Sequence, residues 1–232
     1  MIFTAETAMI HINKLISNYP DLANVRVDSQ VVRLHGHIRV FRTHNDFTVN
    51  KTYTLDIVVP IDSSELPYVI DIDRIIRQDY HHYYTSSGKL CLATDSEMRI
   101  RFVDGFDLCE WMSEFVELYY FSYEYYERYC IFPFGERVHG ISGIIQTYQD
   151  ILGTDDILQT FKLMQFIKQK EYRGHHKCPC GSKNTLRNCH GSAMMFVYQN
   201  TQVKEIMMND LASLELLLKE EEDREHHRKQ AK

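Results

Sequence analysis

Three consecutive runs of this chain alternate apolar and polar residues with a period of two. Val32, Leu34, Ile38 and Val40 alternate with Arg33, His35, His37 and Arg39, with Gly36 in the middle. Tyr53, Leu55, Ile57 and Val59 alternate with Thr54 and Asp56 and stop at Pro60. Tyr68, Ile70 and Ile72 follow Pro67 and alternate with Asp71 and Asp73. Side chains of a strand point to opposite faces in turn, so each run reads as a strand with one buried face. Short links between the runs leave no room for crossover helices, so the pairing is antiparallel. The expected architecture is α+β, with a meander at its centre.

Helical spacing flanks the meander. Residues 5–18 place Ala5, Met9, Ile12 and Ile16 roughly on one side, and Pro20 ends the segment. Residues 76–98 lack periodicity and are rich in Tyr, His, Ser and Gly, which marks a functional loop. Asp107 is a plausible N-cap for a helix carrying Leu108, Trp111, Phe115, Leu118 and Ser122. Residues 119–134 are densely aromatic and should cover the sheet, while 135–153 are mixed, with several Gly. Thr154-Asp155-Asp156 opens a helix carrying Ile157, Phe161 and Met164. From Gln202 the tail is amphipathic through Val203, Met207, Leu211, Leu214 and Leu218. Its near-heptad spacing lasts two or three heptads, so packing on its own domain is favoured over a dimer seam. The resulting division is a first domain over 1–128, a helical extension over 129–170, a small metal knuckle over 171–192 and a C-terminal amphipathic helix over 193–232.

The chain has 232 residues and a net charge of −6, which argues against nonspecific nucleic-acid binding. Its 15 Tyr and 12 Phe favour a packed domain over disorder. No charged-then-apolar leader and no membrane-length apolar run is visible, so a soluble cytoplasmic protein with reduced thiols is expected. There, clustered cysteines point to metal, and a lone cysteine can be a nucleophile.

Cys91 lies in Gly88-Lys89-Leu90-Cys91-Leu92, ten positions after His81. A thiol in a loop after a small antiparallel sheet suits carrier chemistry, because a thiolate leaves readily and keeps an acyl group activated. The bland alternative is a small buried hydrophobe. The flanking Gly and the His81 spacing favour function. His81 reads as a brace of the loop ahead of a proton carrier. Asp95 and Glu97, just downstream, could orient or deprotonate an incoming amine, or simply be solvated. Cys109 and Cys130 read as core or half-buried.

The order helix, meander, Cys-bearing loop, helix over roughly residues 1–128 resembles the ubiquitin-conjugating enzymes. In that family a His-Pro-Asn tripeptide precedes a Gly-X-(Ile/Leu)-Cys-Leu turn. His81, Gly88, Leu90, Cys91 and Leu92 fall in those places, and Pro60 and Pro67 match the prolines between the second and third strands. The resemblance implies that Cys91 carries a protein C-terminus as a thioester. It also implies partners: an activating enzyme, and either a ubiquitin-like protein or the C-terminus of a cGAS-like nucleotidyltransferase, as in bacterial CBASS-type antiphage operons. The family's Pro and Asn are His82 and Tyr83 here, so an amide linked to the oxyanion or to the loop is missing. Tyr83 or His82 could donate in its place.

Cys178-Pro-Cys180-Gly, eight residues after Cys180, then Cys189-His190 form a second cysteine set. Three thiolates and an imidazole suit a closed tetrahedral zinc site, structural and without an open position. Gly181 permits the sharp turn. A disulfide or accidental cluster is the alternative, and the adjacent ligands and reducing compartment disfavour it. His175 and His176 read as solvated neighbours. The pattern is similar to SEC-C, the zinc motif at the C-terminus of SecA, except that Lys183 replaces a usual Gly. Lys177, Lys183 and Arg187 give the knuckle a basic face.

These readings converge on an expected transferase: a ubiquitin-conjugating-enzyme-like protein with structural Zn²⁺ on Cys178, Cys180, Cys189 and His190. Its candidate catalytic residues are Cys91, His81, Tyr83 and Asp95. With no Gly-rich nucleotide loop, adenylation would fall to another protein. An inactive relative that presents a partner is the alternative, and a zinc-knuckle nucleic-acid binder is a third.

Overall fold

Fourteen-residue strands β2 (Val31–His44) and β3 (Phe47–Pro60) form one long hairpin whose register runs from Val31 opposite Pro60 to His44 opposite Phe47. The turn between them places Asn45 at φ 50°, a left-handed conformation that Asn tolerates. The computed structural model describes residues 2–136, 138 and 140–230, the side chains of 221–222 and 225–230 excepted. Around the hairpin the described strands make a six-stranded antiparallel sheet of order β1-β2-β3-β4-β6-β5. The others are β1 (Asn24–Val27), β4 (Tyr68–Asp71), β5 (Tyr83–Tyr84) and β6 (Lys89–Leu90). The alternating runs are therefore strands as expected. β1 was not anticipated: its four residues, Asn-Val-Arg-Val, are too few to display a period.

The chain divides into two compact units. The first holds residues up to Ala93 and Asp104–Glu136. Here α1 (Ala5–Asn18) is opened by a capping box between Thr4 and Thr7 and buries Ala8, Ile12 and Leu15. Ala5, expected on the buried side, is exposed, and Met9 and Ile16 are half-buried: the true stripe is turned by about one residue. Asp107 caps α3 (Leu108–Trp111) by accepting from the N–H groups of Cys109 and Glu110, as expected, and also pairs with Lys14 of α1. A π-helical turn (Met112–Val116) joins α3 to α4 (Glu117–Tyr129). An i→i+5 turn adds one residue to the helical repeat. The buried stripe consequently passes through Trp111, Met112, Val116, Tyr119, Tyr120 and Tyr123, and the expected Phe115, Leu118 and Ser122 are only half-buried. Arg42 of β2 donates to the Ser113 carbonyl at 2.9 Å, satisfying a backbone acceptor within the bulge.

Aromatic packing joins α4 to the sheet. Tyr53 stacks on Tyr120 at 4.0 Å, and its hydroxyl donates to Glu124, which also pairs with Lys51 at 2.6 Å. Gly36 faces this side of β2. A Cβ there would lie 2.1 Å from the Asp21 carbonyl oxygen, so the incoming chain crosses the strand only because that position has no side chain.

The second unit holds Thr94–Val103 and the chain from 137 onward. It contains α2 (Asp95–Arg101), α5 (Gly140–Leu152), α6 (Ile157–Gln169), α7 (Gly191–Gln199) and α8 (Thr201–Gln230). Helix α5 replaces the mixed stretch expected there: its glycines mask the period of Thr147, Tyr148 and Leu152. Asp156 caps α6 as expected, yet Ile157 is exposed and the buried stripe is Thr160, Leu163, Met164 and Ile167. Helix α8 buries Val203, Met207, Leu211 and Leu214, and the first three join one core with Leu163, Ile167, Met194 and Val197. Leu218 is exposed. Tyr148 donates to Asp210 at 2.5 Å, linking α5 to α8. Among the described residues no helix is long and apolar enough to cross a membrane.

Candidate functional site

Cys91 follows β6 directly, where the chain leaves the sheet. The β5–β6 turn is closed by Gly88, at φ 74°, whose N–H donates to the Tyr84 carbonyl. The Gly88 carbonyl in turn accepts from Asp71 N–H of β4 at 2.9 Å. The Cys91 N–H donates to the His82 carbonyl at 2.9 Å, and the same oxygen accepts from the Tyr119 hydroxyl at 2.8 Å. Beneath that junction the His82 ring packs against Tyr80 and Phe132. The Cys91 backbone is thus fixed to an aromatic floor, while the residue is half-buried. Burial, aided by nearby Tyr80, Tyr120 and Cys91, holds the Tyr119 hydroxyl far above the usual phenol range, so it stays a donor to His82.

Alternation along β5 sends its two tyrosines opposite ways. Tyr83 stands opposite Leu90 and is buried on the inner face. Its hydroxyl has no hydrogen-bond partner among the described residues, and burial, with the Asp71 carboxylate nearby, raises it. Asp71 itself is buried; desolvation raises its carboxyl even though it accepts the Ile76 N–H at 3.0 Å. Tyr84 stands opposite Lys89, is exposed, and aims its hydroxyl at Cys91 Sγ, 3.9 Å away. Of the two β5 tyrosines, Tyr84 therefore brings its hydroxyl to the sulfur. A two-residue strand displays no period, so only the register of Tyr84 opposite Lys89 distinguishes the two tyrosines. His81 is exposed on the same loop, in the field of Asp79. Asp95 is in the first turn of α2, exposed and paired with Arg99 at 3.7 Å, and it belongs to the second unit. Glu97 follows it there, its N–H capped by Thr94. Cys109 accepts from Asn18 Nδ2 at 3.2 Å at the edge of a cleft in the first unit, and burial raises its thiol. Cys130 is exposed at the end of α4, in a left-handed conformation.

The second cysteine set closes on itself. Cys178, Cys180, Cys189 and His190 each offer one ligand atom, and those atoms all lie within 4.8 Å of one another. Cys178 Sγ is 3.3 Å and Cys189 Sγ 3.2 Å from His190 Nδ1, and Cys180 Sγ is 3.5 Å from Cys189 Sγ. Metal–ligand bonds of about 2.1–2.3 Å in a tetrahedron separate the ligands by roughly 3.4–3.8 Å, a spacing that this cluster approaches and could reach by small side-chain shifts. The local fold produces this. Cys178 N–H donates to Asn184 O, and Leu186 N–H donates to His176 O, which closes a small antiparallel turn. A short 3₁₀ helix (Leu186–Asn188) returns Cys189 to the first pair. Gly181 turns at φ 89°, and Lys183 adopts φ 66°, also left-handed.

Electrostatics prepares these thiols unequally. Burial raises the Cys178 thiol. Burial also works against the Cys180 thiolate, but hydrogen bonds from Ser182 Oγ and N–H and from the neighbouring thiols outweigh it and bring Cys180 down. One sulfur is thus ready to ionise first, and a divalent cation would displace the remaining protons. Cys178, Cys180, Cys189 and His190 could therefore hold a metal such as zinc. Behind them Cys178 and Leu186 are buried in the core shared with Met194 and Ile167.

No family model matches this chain, and comparison with curated proteins and with solved structures finds no match.

Proposed function

We propose that the first unit is a ubiquitin-conjugating-enzyme-like transferase and that Cys91 is its acyl carrier. One observation supports the reading: Cys91 is held by its backbone and is half-buried, not sealed in the core. The Cys91 thiolate would attack the carbonyl carbon of a thioester presented by an activating enzyme. The bond to the donor sulfur breaks, that enzyme leaves as its thiolate, and the acyl chain stays on Cys91. An amine of the acceptor then attacks the same carbon, the Cys91 thiolate departs, and the amine's surplus proton passes to solvent. Tyr84, with its hydroxyl beside the sulfur, replaces the family's amide as donor to the oxyanion of each step. His81 braces the loop, and Tyr83 supports it from within. The acyl donor is a ubiquitin-like protein or the tail of a cGAS-like nucleotidyltransferase, in cytoplasmic antiviral defence. The Cys3His set is a SEC-C-like site for structural zinc, which supplies cross-linking and no reaction step.

Mixing the protein with a CBASS-type activating enzyme, ATP and the nucleotidyltransferase should yield a conjugate that reductant cleaves. If Cys91→Ala leaves that conjugate intact, the reading fails. The departure at Tyr83 from the family's Asn favours a second reading, a partner-presenting adaptor. It is supported if no thioester forms and Cys91→Ala keeps full partner affinity.

A further inference from the structure

The sheet of the first unit has a second face, opposite α3 and α4, and its charge differs in sign from the chain's. Register puts Arg26 beside Arg33, Asn24 beside His35, His35 beside Asp56, His37 beside Thr54 and Lys89 beside Ile70 on this face, with Arg39 further along β2. Asp56 is the sole carboxylate at the strand positions of this face among the described residues. It is already held by Arg33 Nη1 at 2.7 Å and His35 Nδ1 at 2.6 Å and is 7% exposed. Arg39 donates to the neutral Asn50, and Lys89 lies 4.4 Å from the Tyr68 ring centroid. Arg26 is exposed beside a hollow of about 300 Å³ lined by Asn24, Arg33, His35 and Asp56. At the strand positions Arg26, Arg33, Arg39 and Lys89 thus outnumber the single carboxylate Asp56, and even with Asp28 of the β1–β2 turn in the field of Arg33 the face keeps a positive surplus, on a chain of net charge −6.

We propose that this face docks an acidic, extended segment of a partner protein. Guanidinium groups bind carboxylates in a bidentate manner, and the flat Thr-, Asn- and His-bearing surface between them suits a chain laid across it. Arg33 and Arg39 are six positions apart on one strand, about 20 Å, which is the span of about six extended residues. Nucleic acid fits less well. Exposed rings that would stack bases, Phe41 and Tyr84, sit at the margins, and the surplus negative charge of the chain repels a long polyanion. The proposal is independent of the chemistry at Cys91.

The test is fluorescence anisotropy with the full chain and a labelled short peptide of alternating Glu and Ser, beside an oligothymidylate of equal charge. Saturable peptide binding is expected at about 50 mM NaCl, weakened about tenfold or more at about 300 mM. Arg26→Glu with Arg39→Glu should weaken it by a further factor of about ten, and the milder Arg26→Gln with Arg39→Gln by less. Both side chains are exposed, so an unchanged melting temperature verifies folding. Absence of saturable binding at low salt, undiminished binding in the folded double variants, or tighter binding of the oligothymidylate than of the peptide each overturns the proposal.

Discussion

Tyr83 and Tyr84 are adjacent in sequence and opposite in circumstance. The Tyr83 hydroxyl is buried without a hydrogen-bond partner among the described residues, whereas the Tyr84 hydroxyl lies 3.9 Å from Cys91 Sγ. A buried hydroxyl that gains no bond still incurs its desolvation, so Tyr83→Phe should stabilise the fold by about 1 kcal/mol, read by urea denaturation. Tyr84→Phe should leave stability within about 0.5 kcal/mol, since the residue is exposed. If Cys91 carries an acyl group as proposed, the substitution should instead slow its transfer by about 10-fold or more, measured by single-turnover loss of the thioester. An equal loss of transfer in Tyr83→Phe, with Tyr84→Phe unaffected, would reverse the assignment. At this scale the Cys3His set was legible because the spacing of its cysteines announces it. Cys178, Cys180, Cys189 and His190 do converge, as their order in the chain suggested. Which tyrosine meets the sulfur was not legible, since it depends on strand parity in a two-residue strand with no visible period.

Among the elements, the long hairpin was the most legible because period-two alternation survives over many residues, and register then follows from which face is apolar. Helix faces were less so. The stripe of α1 is turned by about one residue from its expected place, and the π turn at Met112–Val116 shifts everything after Trp111. A single inserted residue leaves no mark in composition. What stabilises it, the Arg42 bond to the Ser113 carbonyl, joins residues 71 positions apart. Gly36 is the hairpin's sharpest test. Its missing side chain admits the Asp21 carbonyl, and backbone on both sides of the contact cannot yield as a flexible side chain would. Gly36→Ala should therefore destabilise the first unit by about 2–3 kcal/mol, despite the better strand propensity of Ala. Chemical denaturation measures it. A change within about 0.5 kcal/mol would mean that the chain before β1 crosses the strand elsewhere.

For the molecule as a whole, two units solve the problem of burial differently. The first has a sheet with a helical layer on one face, and its stability rests on apolar area and the Tyr53–Tyr120 stack. The second consists of short helices around a core that reaches Cys178 and Leu186, so the loop holding the cysteines is part of the wall of that core. Residues 171–190 contain little regular structure of their own, only the Leu186–Asn188 turn and the Lys177–Thr185 bridge. A loop of that kind costs conformational entropy that its few backbone bonds do not offset, and a metal held by the Cys3His set would supply the difference. Removing the ion with a strong chelator should thus unfold more than the loop. Hydrogen exchange in peptides from α6, α7 and the first half of α8 should rise by about a hundredfold or more, while peptides of β2 and β3 keep their protection. Cys180→Ala should reproduce the effect without chelator, and added Zn²⁺ should rescue the wild-type chain alone, with three sulfur ligands and one nitrogen in its X-ray absorption spectrum. Should exchange in those helices stay unchanged after metal is removed, the Cys3His set would have no part in holding the second unit together.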